Sequence, residues 1–113
     1  MISKALVGAS TKPIILSILL RGENYGYQII HKVRDLSGGE LDWSFGMLYP
    51  VLHKLEEEGL ISSQWKLSEN GKMRKYYLIT DAGRTDLESE KRQWSSVQAA
   101  LGKLWLPAPE SII

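Results

Sequence analysis

Ser44-Phe45-Gly46-Met47-Leu48-Tyr49-Pro50-Val51-Leu52-His53-Lys54-Leu55-Glu56-Glu57-Glu58-Gly59-Leu60-Ile61 is the stretch on which the fold turns. Leu48, Val51, Leu52 and Leu55 recur at helical spacing, which predicts a helix buried along that stripe. The Ser44 hydroxyl is placed to cap the free N–H groups of the first turn, and Gly59 suits the left-handed conformation that ends a helix. Glu56, Glu57 and Glu58 crowd the negative end of the helix dipole, where solvation must offset them. Ser44, Phe45, Met47, Tyr49, Pro50, His53 and Lys54 are left partly or wholly on the outside, an unusually apolar and aromatic face for contact with water. Pro50 inside the pattern implies a local distortion or a later start.

Downstream, the period changes from 3.6 to two. Ile61, Ser63, Trp65 and Leu67 share one face, and Met73, Lys75, Tyr77 and Ile79 alternate with Arg74, Tyr76 and Leu78, which predicts a hairpin. Asn70-Gly71 between them predicts a type I′ turn, which needs positive φ at both central residues. Thr80 or Asp81 then caps a long helix to about Trp105, where Pro107 and Pro109 forbid continuation. Upstream, Ile14, Ile15, Ile18 and Leu19 predict a helix over 11–21, with Thr11 as N-cap and Pro13 in its first turn. Ile29, Ile30, Val33 and Leu36 predict a second over Tyr25–Leu36, ended by Ser37, Gly38 and Gly39. Glu40, Leu41 and Asp42 suit a minimal strand.

Three short helices followed by a two-stranded hairpin is the order of a winged helix-turn-helix, a mainly α fold with a small β-hairpin. Residues 1–79 form the expected DNA-binding module, 80–105 a C-terminal dimerisation helix, and 106–113 a flexible tail. In such a fold the third helix enters the major groove. The Ser44 and Tyr49 hydroxyls, the His53 nitrogens, and Met47 or Phe45 against thymine methyls are candidate readers, with Lys54 reaching phosphate. Core or dimer packing is the rival role for Tyr49.

Over the whole chain, 14 Lys plus Arg face 13 Asp plus Glu, for a net charge of +1. The positive charge is nevertheless local, because Lys66, Lys72, Arg74 and Lys75 on the hairpin are opposed by Glu69 alone. Such a cluster suits phosphate contacts that position a domain, the rival being a solvated turn.

A length of 113 residues with 43% hydrophobic content bounds the chain to one domain. The absence of cysteine excludes disulfides, thiol nucleophiles and thiolate metal sites. The apolar run Pro13–Leu20 is far short of a membrane span, and the first residues lack an export signal, so a cytoplasmic protein is expected. His31 and His53 lie on different helices with no carboxylate at a telling spacing. No enzyme, metal site or cofactor is therefore expected.

Tyr25-Gly26-Tyr27-Gln28-Ile29, the run from Gly46 to Ile61, and Arg74-Lys75-Tyr76-Tyr77-Leu78-Ile79-Thr80-Asp81-Ala82-Gly83 resemble the PadR family of bacterial transcriptional regulators over about residues 12–105. The resemblance implies a repressor that binds a pseudo-palindromic operator in double-stranded DNA, and Tyr25 and Gln28 join the candidate DNA contacts. The short C-terminal helix is similar to that of the small subset that includes the lactococcal multidrug-binding regulator. In that subset the last helix dimerises and a tryptophan on it flanks a pocket for flat aromatic molecules at the dimer centre; the matching position is Trp94.

The last helix points to assembly by itself. Leu87, Trp94 and Leu101 are seven residues apart and Val97 and Leu104 fill the complementary positions, a heptad-like seam interrupted by Glu90. Such a helix is expected to meet the same helix of a second copy and also to fold back on helix one. Trp94 and Val97 are the candidate ligand contacts, with simple interface packing as the rival role for Trp94. The competing function is a winged-helix module that docks a protein instead of DNA; binding of DNA would fall steeply with salt and a docking face built on Phe45, Met47 and Tyr49 would hardly respond.

Overall fold

A computed structural model describes residues 1–107. In chain order it contains α1 (Lys4–Leu20), β1 (Asn24–Tyr25), α2 (Gly26–Leu36), α3 (Phe45–Glu57), β2 (Ile61–Leu67), β3 (Met73–Ile79) and α4 (Asp81–Trp105). The strands form one antiparallel sheet in the order β1-β3-β2. Ile15 and Leu16 of α1, Ile29 and Val33 of α2, Leu48 and Leu52 of α3, Ile61 and Tyr77 of the sheet and Leu87 of α4 meet in one core.

The local signals of α3 and α4 hold. Ser44 caps α3, its Oγ accepting from the Met47 N–H at 3.2 Å. Thr80 caps α4, its Oγ1 accepting from the Gly83 N–H at 3.0 Å. Pro50 stands inside α3 on its exposed side.

Helix one begins a full two turns earlier than its apolar stripe suggests, capped by Ser3 instead of Thr11. Thr11 is buried mid-helix, where its Oγ1 donates to the Val7 carbonyl at 2.6 Å. Pro13 therefore lies in the helix interior, where its missing N–H leaves one bond of the ladder unmade. Residues Glu40–Asp42 form no strand. The loop is held by the Arg34–Asp42 ion pair at 2.6 Å and by Leu41 N–H donating to Ser37 Oγ at 2.8 Å. The third strand is instead Asn24–Tyr25, which pairs with Tyr77 and Tyr76.

The hairpin turn also differs. Gly71 has φ +80°, while Asn70 keeps negative φ, so this is not a type I′ turn. Gly71 N–H donates to the Ser68 carbonyl at 3.0 Å and Ser68 N–H to the Lys72 carbonyl at 2.7 Å. That pattern is a three-residue loop: a type I turn closed by a left-handed glycine.

The first half of α4 packs on the body. Lys12 of α1 meets Asp86 at 3.0 Å and Glu90 at 3.1 Å. Gln98 still borders the body, and with the last turns of α4 beyond it the protein has extents of 67 × 29 × 22 Å. The expected tail is described as far as Pro107; Pro109 and the remainder lie outside the described residues.

Candidate nucleic-acid interface

The Ser44 cap fixes where α3 starts, and the i, i+4 spacing then puts Phe45, Tyr49 and His53 on one outward stripe. Phe45 and Tyr49 stack with centroids 5.6 Å apart and planes inclined by 16°. Tyr27 of α2 continues the array, 6.4 Å from Phe45 and inclined by 17°, and His31 lies 4.4 Å from Tyr27. Tyr27, Phe45 and Tyr49 each keep between 43% and 50% of their surface exposed. Tyr49 leans over the start of α2: a Cβ at Gly26 would lie 3.2 Å from its phenolic oxygen.

Around this array the expected readers divide. Met47, expected partly or wholly outside, is half-buried, its position on the helix facing α1 and the core. Ser44 spends its oxygen on the cap. His53 Nε2 lies 2.8 Å from Glu57 Oε1, one turn further along the same helix. Lys54 is exposed and lines a groove between α1 and α3 that also holds Lys4, Lys12 and Glu58. Tyr27 is not among the expected contacts; its i, i+4 spacing with His31 on the polar side of α2 is the signal that points to it.

Gln28 is exposed on α2 and, with Asn24, Tyr25, Asn70, Arg74 and Tyr76, lines a polar recess of about 410 Å³ between α2 and the wing. Tyr25 packs edge-on to Tyr76 at 5.4 Å, and the Arg74 guanidinium lies 4.4 Å above the Tyr25 ring. Lys66 pairs with Glu23, and Lys75 lies 3.8 Å from Glu56. Lys72, at the turn, is exposed and heads no ion pair among the described residues. The wing cations are thus partly engaged in bracing the hairpin against the body.

Of the expected seam, Leu87 is instead buried within the protomer, at 1% exposure, because α4 packs its first turns on the core. Leu101 is half-buried, whereas Val97 and Leu104 are exposed, as are Trp105 and Leu106. Trp94 is half-buried and borders an apolar cleft of about 640 Å³ between α1, α2 and α4, walled by Pro13, Ile14, Ile18, Leu36 and Gln98 among others. Val97 is not part of that wall. Among the described residues no group of His, Asp or Glu is arranged to hold a metal ion, and no helix is long and apolar enough to cross a membrane.

A tri-helical body, an exposed face on its third helix and a flanking three-stranded wing define a winged helix-turn-helix protein. Residues 15–89 match the Transcriptional regulator PadR-like family. The chain belongs to that family and is a DNA-binding transcriptional regulator, not an enzyme. It is similar to a PadR-like transcriptional regulator from Bacillus cereus, with a TM-score of 0.83 and 31% identity over 93% of this chain and 100% of that one. It is also 33% identical to the transcriptional regulator YqjI of Escherichia coli, over 75% of this chain and 39% of that protein. It is 32% identical to the negative transcriptional regulator PadR of Bacillus subtilis, over 67% of this chain and 42% of that one. The matched segments thus cover about two fifths of each of these two curated relatives.

Proposed function

We propose that the protein is a homodimeric, cytoplasmic repressor that reads a pseudo-palindromic operator through the outward face of α2 and α3, and that a flat hydrophobic molecule bound beside Trp94 releases it. The observation that carries the DNA-reading part is the exposed aromatic array of Tyr27, Phe45 and Tyr49. Phe45 and Tyr49 lie in the N-terminal half of the helix that this fold inserts into the major groove, and Tyr27 of α2 stacks beside them. Tyr25, Gln28, Lys54, Lys66, Lys72, Arg74 and Lys75 surround it as phosphate and groove contacts. A protein-docking module is the weaker reading for a member of a transcriptional regulator family.

Two reading heads need a fixed separation to match a two-fold site. The far half of α4 offers apolar surface at Val97, Leu104 and Trp105 that its own body leaves uncovered, which supports pairing with a second copy. The cleft bordered by Trp94 is apolar and large enough for a drug-sized aromatic. The repressor role accords with the negative regulation named for the Bacillus subtilis relative. The test is repression of a reporter placed behind a selected operator, followed by its relief with planar dyes. Activation of the reporter, or repression that no dye relieves, would refute the corresponding part.

A further inference from the structure

From Ser44 to Leu52, α3 carries no Arg, Lys, Asn, Gln, Asp or Glu. Guanine is recognised in the major groove by paired hydrogen bonds from Arg or Lys, and adenine by paired hydrogen bonds from Asn or Gln. The remaining polar groups of this half of the helix are already engaged or turned aside. Ser44 Oγ caps the helix, Tyr49 Oη leans over Gly26, and His53 faces Glu57. What the helix turns outward is ring surface.

We infer that Tyr27, Phe45 and Tyr49 recognise thymine through its C5-methyl group. This rests on the DNA-reading function proposed above and names the base that the face selects. Thymine bears the apolar group of the major-groove edge, and an apolar ring meets it without stranding a polar partner. The geometry suits a repeated contact. Neighbouring rings are 6.4 and 5.6 Å apart and nearly parallel, against about 3.4 Å between successive base pairs, so adjacent rings address thymines about two steps apart. Two of the rings sit on α3 and one on α2, and the Tyr49–Gly26 contact locks the two helices together, so the array meets DNA as a preformed surface. A Cβ at Gly46, beside Phe45, would meet nothing nearer than Ser44 Oγ at 3.9 Å, and without one the helix backbone can come close to the groove. Continuity with the wing, where Lys72 faces solvent, favours DNA over a second protein as the occupant.

The test replaces thymine by deoxyuridine, which removes the methyl group and leaves the base pairing as it was. An operator is selected from a random pool with the full chain and then synthesised in both forms, and affinities are read by fluorescence anisotropy. The deoxyuridine duplex should bind about fourfold more weakly per contacted thymine, the factor for losing one buried methyl-sized group. Random duplexes should show no such difference, and Phe45→Ser and Tyr27→Ala should each reduce the penalty. Equal affinity for both operator forms would overturn methyl recognition while leaving operator binding intact. A penalty that both variants retain would also overturn it, since the methyl groups would then be read elsewhere. Should the operator bind no tighter than random DNA, the DNA-reading function itself would fail. An array that instead packs on a second copy would show as Phe45→Ser halving the mass in sedimentation with the penalty unchanged, and that too overturns the inference.

Discussion

The indole N–H of Trp94 donates to Glu90 Oε2 at 3.1 Å, while Glu90 Oε1 lies 3.1 Å from Lys12 Nζ. The residue that interrupts the apolar seam of α4 is therefore the one that ties α4 to α1 and orients Trp94 at the edge of the cleft. A half-buried ring held this way contributes less to packing than a core tryptophan. Trp94→Ala should cost about 1 kcal/mol of stability, well below the 3–5 kcal/mol typical of a fully buried aromatic. Saturable quenching of tryptophan emission by planar aromatic dyes should weaken strongly in the variant. A large stability loss with unchanged dye binding would assign Trp94 to packing alone.

A Cβ at Gly83 would stand 2.1 Å from the Leu60 carbonyl oxygen. Thr80 bonds the same carbonyl through its N–H, so α4 starts pressed against the entry to β2. Gly83→Ala should therefore destabilise by about 3 kcal/mol, the scale of an overpacked core, read from the midpoint of urea unfolding. A change within 0.5 kcal/mol, the scale of an ordinary surface substitution, would mean that α4 can shift freely.

On the wing, Lys72 is free to meet phosphate whereas Lys66 is paired with Glu23. Lys72→Gln should lower affinity for all DNA and reduce the salt slope by about 0.9, the value for one lost contact. Glu23→Gln should raise the slope by releasing Lys66. An unchanged slope in both variants would leave the wing cations as solvated braces.

Leu101→Glu combined with Leu104→Glu should yield folded monomers in sedimentation, since both positions lie on the last turns of α4, past Leu87, where it joins the core. The monomer should bind a single half-site weakly and lose preference for two-fold sites. An intact dimer would place the interface elsewhere.

Alkaline pH should weaken the fold at two places. Burial alone would lower the Lys12 value, but hydrogen bonds to Asp86 and Glu90 outweigh it and the pKa is raised above the ordinary 10.5. Burial raises the Tyr77 phenol above 10.0, with Tyr49 and Glu56 adding to it. In both cases the folded state holds the proton more tightly than the unfolded chain. Their stabilisation is complete below about pH 10 and is lost as pH rises through the raised values. Unfolding midpoints should fall above pH 10, and less so in Lys12→Met. A steep loss below pH 9 would implicate other groups.

How far the sequence carries follows from the range of each signal. The Ser44 and Thr80 caps, the apolar stripes of α2 and α3 and the winged order are local and legible. Ser3 is a cap too, but Ala5, Gly8 and Ala9 behind it dilute the apolar period, and Pro13 mimics a first-turn residue. Asn24–Tyr25 becomes a strand only because β3 lies beside it, some fifty residues away, which no local pattern records. Leu87 fits a heptad equally well whether it faces its own core or a second copy, and packing decides. The aromatic α3 face was legible from the helical wheel, but Tyr27 joins it through the angle between α2 and α3.

The most direct measurement is the affinity of the full chain for its selected operator and for random DNA of equal length, each with Tyr49→Ala as a partner experiment. The account predicts an operator affinity many times that for random DNA. The variant should lose about 1–3 kcal/mol on the operator and almost nothing on random DNA, the mark of a residue that reads bases. Equal losses on both, or an operator that random DNA displaces at equal concentration, would contradict it.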